Sequence, residues 1–172
     1  MILSAKLFDH VYNFSSLKEV MAKANERKSG DTLAGIAASS SKERVAAKVV
    51  LSKITLKDLK ENPAVPYEED EVTRIIIDDL NLQVYDEREW LLSDEATPSK
   101  INWIRRGLTS EMIAAVTKLM SNMDLIVAAK KIEVRAHCNT TIGGYGTLAV
   151  RLQPNHTTDD PDGIMISTLE GL

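Results

Sequence analysis

Arg151 and Gln153 stand two residues apart at the end of a strand-like run, Leu148 to Leu152, that follows the turn-forming Gly143-Gly144-Tyr145-Gly146. Side chains two apart on a strand point to the same face. The spacing therefore aims a permanent cation and a neutral amide, which both donates and accepts, into whatever lies beyond the strand end. In α/β proteins that is a common place for a binding site. Leu148, Val150 and Leu152 read as a mostly buried strand, and an arginine set among them needs a partner. Spacing alone leaves a ligand and a structural ion pair as equal readings of Arg151.

Other residues with chemical potential have simpler readings. The glycine cluster Gly143 to Gly146 precedes a strand and not a helix, so it fits a tight or left-handed turn better than a phosphate cradle. His10, His137, His156 and Cys138 lack the paired close spacing of a zinc site. Asp159, Asp160 and Asp162 resemble half a calcium loop, but Pro161 interrupts them and no glutamate closes the loop, so helix capping explains them. Met112, Met120 and Met123 lie at helical spacing and read as core filler.

The chain has 172 residues, enough for one domain with a real core, and its 44% apolar and 27% charged composition is that of a globular protein. Twenty-one basic against 25 acidic residues give a net charge of −4, which argues against nucleic acid as a partner. The single cysteine cannot form an internal disulfide and no leader-like segment opens the chain, which together predict a reducing cytoplasmic setting and no membrane association.

Most of the chain reads as helix. Ser16-Leu17-Lys18-Glu19 has the capping-box form and predicts a helix to the late twenties, ended by Ser29-Gly30-Asp31. A short small-residue segment, Leu33 to Ala38, follows, capped by Asp31. A helix over about Ser41 to Lys53 carries Val45, Val49 and Ile54 as its stripe, and a short one from Thr55 stops at Pro63. Glu68 to Glu71 open a helix with Val72, Ile75, Ile76 and Leu80 inward, their charge suiting its N-terminus. Thr97-Pro98 predicts a helix through Trp103. The longest helix is expected over Ser110 to Lys130, with Ile113, Val116, Met120 and Met123 inward. After Lys131 the period changes to alternation, predicting a strand at Ile132 to Ala136, a second at Leu148 to Leu152, and a helix opened by Asp159 to Asp162.

Several blocks together are specific. Lys23-Ala24-Asn25-Glu26 with Ser29-Gly30-Asp31, Glu43-Arg44-Val45-Ala46-Ala47-Lys48, Arg106-Gly107-Leu108-Thr109-Ser110-Glu111 and Arg151-Leu152-Gln153-Pro154-Asn155 resemble, in this order, the N-terminal part of the ethanolamine ammonia-lyase large subunit. The resemblance implies a mainly α fold with a few strands. A helical N-terminal region, 1–146, would lead into the first strand and helix of an incomplete TIM (β/α)8 barrel, 147–172. It implies adenosylcobalamin as the cofactor of the complete enzyme, which turns ethanolamine into acetaldehyde and ammonia by radical amino migration. It implies Arg151 and Gln153 as substrate contacts, other large subunits and a small subunit as partners, and often a bacterial microcompartment as location. Around Asn81 to Glu89 this chain is shorter than the family pattern, and Leu148-Ala149-Val150 departs from the usual sequence before the arginine. A chain with so little of the barrel is expected to be inactive alone. The alternative is a non-catalytic helical assembly or interaction module derived from the same family.

Overall fold

The computed structural model of the chain describes residues 3–7, 9–61, 83–137, 141–148, 152–153 and 160–171. They form two compact units that divide after Ile132, where the sequence period changes from helical to alternating.

The first unit opens with a hairpin that the sequence reading did not include. Strands β1 (Ser4–Leu7) and β2 (His10–Asn13) pair antiparallel, with Ser4 opposite Asn13 and Leu7 opposite His10. Asp9, at φ 61°, makes the turn in a left-handed conformation that aspartate tolerates better than most residues. Helix α1 (Leu17–Lys23) starts at Ser16 as expected, with the Ser16 hydroxyl accepting from the Glu19 N–H at 3.1 Å. It ends earlier than its pattern predicts. Ser29-Gly30-Asp31 then begins a helix rather than ending one: α2 (Ser29–Leu33) is stopped by Gly35 at φ +71°, and Leu33 points to solvent.

Helix α3 (Ser41–Ser52), capped by Ser40, is the centre of this unit and packs on α1 and β1. Its buried face is Ala46, Ala47, Val50 and Leu51, while Val45 is 45% exposed. Of the expected stripe, Ile54 is buried and Val49 half-buried, and Val45 alone faces out; the alanines, which carry little apolar surface, complete the buried face and let neighbouring backbone approach closely. Lys23 of α1 ties the pair together, its ammonium 3.0 Å from Glu19 and 2.5 Å from Glu43 of α3.

Helix α4 (Leu56–Glu61) follows, begun by a reciprocal cap in which the Thr55 hydroxyl accepts from the Asp58 N–H at 3.0 Å and Asp58 accepts from the Thr55 N–H at 3.1 Å. The helix expected from Glu68 to Leu80 lies outside the described residues. Helix α5 (Val84–Leu92) forms in a charged segment, and α6 (Pro98–Ile104) is capped by Thr97 as predicted. The expected long helix is in fact two, α7 (Ser110–Lys118) and α8 (Asn122–Lys131). The break has a local cause. Ser121 and Asp124 form a capping box, with Asp124 N–H to Ser121 hydroxyl at 3.2 Å and Ser121 N–H to Asp124 carboxylate at 2.9 Å, so a new helix starts where the apolar period runs on. Met112 and Met120 are buried, but Met123, past the break, is 67% exposed.

In the second unit, strands β3 (Ala136–His137) and β4 (Thr141–Ile142) pair antiparallel and are solvent-exposed. Gly143 sits at φ +89°, and a Cβ there would lie 1.9 Å from the Val134 carbonyl oxygen. The turn reading of this glycine cluster holds. Leu148 and Leu152 belong to neither helix nor strand, and 149–151 lie outside the described residues. Helix α9 (Pro161–Gly171) begins at the acidic turn, with the Asp160 carboxylate accepting from the Gly163 N–H at 3.1 Å.

The corrected face of α3 has a direct consequence. Leu51→Ala, which empties a fully buried site, should cost about 2–5 kcal/mol of unfolding free energy, whereas Val45→Ala should stay within about 0.5 kcal/mol. Urea unfolding of both variants measures this, and equal losses would restore the face that the sequence pattern favours.

Candidate functional site

Of the two residues singled out for binding, Arg151 lies outside the described residues. Gln153 is exposed, in a stretch without helix or strand. His10 packs edge-on against Tyr12 at 4.6 Å, and the His137 ring nitrogen Nδ1 is 2.8 Å from the Thr141 hydroxyl. Cys138 and His156 are outside the described residues. Among the described residues no three His, Cys, Asp or Glu side chains gather as a metal site would require, and no helix is long and apolar enough to cross a membrane.

The described structure offers a different candidate, a cavity of about 370 Å³ among α5, α6, α7 and α8 of the first unit. Two cations join α5 to α8 beside it. Arg88 of α5 reaches Asp124 in the first turn of α8 at 2.6 Å and also contacts Glu89. Lys131, in the last turn of α8, donates to the carbonyl oxygens of Leu91, Leu92 and Ser93 at 3.2, 3.0 and 2.6 Å. Those are carbonyls at the end of α5, which a helix cannot satisfy within itself. Asp124 is held below the usual carboxylate range by the Ser121 N–H first and the Arg88 guanidinium second.

Trp90 and Leu91 of α5, Ile101 and Ile104 of α6, Val116 of α7 and Ala128 of α8 make most of the wall apolar. Glu87 breaks the pattern. One position before Arg88 on α5, it faces inward, is only 3% exposed, and its Oε2 has no hydrogen-bond partner. Burial pushes its carboxyl up to about 7, with no neighbouring cation opposing the shift. A buried acid with an unanswered oxygen in an apolar hollow marks a functional candidate on physical grounds. Sequence reasoning missed it, although the spacing carried a faint signal: Val84, Glu87 and Leu91 fall on one face of a helix that otherwise alternates charges.

A second, larger hollow of about 730 Å³ is wetter, lined by Asn25, Lys28, Lys48, Lys118 and Asn122 among others. Burial and, secondarily, the charge of Lys28 push the Lys118 ammonium below its ordinary value. Glu26 on the same rim is paired with Arg44 at 2.6 Å. Neither hollow suits a corrin: the first is at the low end of the range for small-molecule pockets, and the second is an open, solvated rim.

A family model described as "Ethanolamine ammonia lyase large subunit (EutB)" matches residues 12–172. The chain is 52% identical over 181 aligned positions to the ethanolamine ammonia-lyase large subunit of Escherichia coli (strain K12), and equally so to that of Salmonella typhimurium (strain LT2). Each alignment covers 100% of this chain and 40% of the relative, so the chain spans less than half the length of the proteins it matches.

Glu87 makes stability depend on pH in a definite direction. The folded chain keeps a proton that the unfolded chain releases, so stability falls as pH rises from 4.5 towards about 7. The loss should total about 3 kcal/mol. Glu87→Gln removes this dependence, so the variant should gain on the wild type by up to that amount across the interval and no further above it. Denaturant unfolding at a series of pH values measures the difference, and a gap that is constant with pH would show that Glu87 is not held neutral by burial.

Proposed function

The chain belongs to the ethanolamine ammonia-lyase large-subunit family, and from that premise we propose that it contributes Arg151 and Gln153 to the ethanolamine site of that enzyme. The observation that carries this reading is 52% identity in an alignment that spans the whole chain and therefore the Arg151–Asn155 stretch. In the reading, residues 147–172 supply the first strand and helix of a TIM barrel. The helix α9 of this region is the observed part of that unit.

Electrostatics defines what these two residues do. Ethanolamine is a cation at neutral pH, so Arg151 cannot bind it through the amine; the guanidinium donates instead to the substrate hydroxyl oxygen. Gln153 accepts from the amine through its side-chain oxygen, a neutral bond that contributes only about 0.5–1.5 kcal/mol net. Two like charges held close together need carboxylates to offset them, and residues outside this chain supply those in the reading. The isolated chain then orients substrate atoms without holding the substrate, and is inactive alone. Adenosylcobalamin provides the radical chemistry of the complete enzyme, and assembly with other large subunits and a small subunit, in the cytoplasm or a microcompartment, completes the site.

A second reading has a specific observation behind it. Trp103, Met123 and Ile126 stand 51, 67 and 60% exposed on helices of the first unit, apolar surface that a partner would cover. A non-catalytic helical assembly module of the same family would use that surface without the chemistry.

Acetaldehyde release from ethanolamine separates the two. The chain is assayed with adenosylcobalamin and small subunit, alone and after mixing with a separately expressed remainder of a homologous large subunit. Activity in the mixture only, falling about tenfold or more in kcat/KM with Arg151→Ala as loss of a charged hydrogen bond predicts, supports the lyase reading. An inactive mixture that still forms a stable complex favours the assembly module. Calorimetry of the chain alone should give no saturable ethanolamine binding.

A further inference from the structure

The cavity of the helical unit differs in chemistry from the proposed ethanolamine site. Its wall is apolar except for Glu87 and, at the solvent edge, Arg105 and Thr117. Glu87 is 3% exposed and its Oε2 has no partner, whereas Arg105 is exposed and leaves that oxygen unanswered. A volume of about 370 Å³ is enough for a compact organic molecule. The wall's other polar side chains, Arg105 and Thr117, stand at the solvent edge, so ethanolamine itself, with little apolar surface to bury, is a poor match.

We propose that this cavity binds a small apolar molecule carrying a single protonated amine, whose ammonium donates to Glu87 Oε2. The charge argument selects the amine. An alcohol could fill the missing hydrogen bond but would leave the charge of an ionised Glu87 uncompensated in an apolar surround. An ammonium supplies both the donor and the opposite charge. A carboxylate or phosphate would set like charge against Glu87 at short range. The apolar body of the ligand then covers Trp90, Ile104 and Val116, which supply area but no direction. Independent of the lyase reading, the inference rests on residues of the first unit alone.

Amide NMR titration of the full chain at pH 7 tests it with three probes of one shape: cyclohexylamine, cyclohexanol and cyclohexanecarboxylate. Cyclohexylamine should bind saturably, with shifts confined to α5–α8. The alcohol should bind about tenfold or more weaker and the carboxylate not at all, the scale of one charge-assisted hydrogen bond. Glu87→Gln, close to isosteric, should lower amine affinity about tenfold while leaving the alcohol unchanged. Ala129→Phe, placed on the exposed edge of the lining, should block both, and keeps the test decisive if the Glu87 variant fails to fold. Equal affinity for amine and alcohol, amine binding indifferent to Glu87, no saturable binding, or self-association that closes the cavity against all three probes would each overturn the proposal.

Discussion

The joining of α5 to α8 by two cations is the constraint on which the chemistry of the helical unit depends. Arg88 grips the first turn of α8 through Asp124, and Lys131 from its last turn satisfies the carbonyls that end α5. The lysine answers a helix end that would otherwise carry unsatisfied carbonyls, and the arginine pairs with the carboxylate that opens α8. With α5 fixed in this way, Arg88 is committed to α8 and Glu87, its neighbour in sequence, is committed to the interior. The outcome is asymmetric in charge: the cation has two acidic partners, with only its Nε unanswered, while the Oε2 of the acid has no cation beside it.

That asymmetry separates two kinds of chemistry in one short chain. Arg151 and Gln153 belong to the unit that starts at Glu133, and their role in the lyase reading is to orient a substrate whose charge other residues must balance. Glu87 belongs to the helical unit and needs no further residues to be chemically unusual. Its carboxyl is destabilised by burial alone, so anything that brings a positive charge to Oε2 recovers free energy that folding has given up. A charge of the wrong sign beside the substrate and a carboxyl without a counter-charge are opposite problems, and they have opposite remedies.

Helix starts were the most legible part of the sequence, because caps are local: Ser16 and Thr97 each accept the N–H that their spacing predicts. Faces and lengths were less so. On α3 Val45 faces solvent while Ala46 and Ala47 are buried, because alanine, weak in any hydrophobicity count, decides how closely helices approach. Ser121 divided a helix whose apolar period carries straight through it, since a reciprocal cap outweighs continuity of pattern. The hairpin at Ser4–Asn13 was signalled by alternation of Leu3, Ala5 and Leu7 with Ser4 and Lys6, a pattern short enough to overlook. Glu87 was hidden for a different reason: in Asp86-Glu87-Arg88-Glu89 it looks like one more solvated charge, and only the tertiary position of α5 makes it an interior residue. Arg151 and Gln153, by contrast, were found through a motif and owe their assignment to family resemblance.

The titration of the Glu87 side-chain carboxyl, followed by carbon-detected NMR on the selectively labelled chain, tests the account of the helical unit most directly. Held by burial in the cavity between α5 and α8, the carboxyl should titrate near 7, and an added apolar amine should draw that midpoint down. A midpoint at the ordinary glutamate value near 4.5 would mean that water or a cation already reaches Oε2, and the cavity would then have no unanswered charge to offer a ligand.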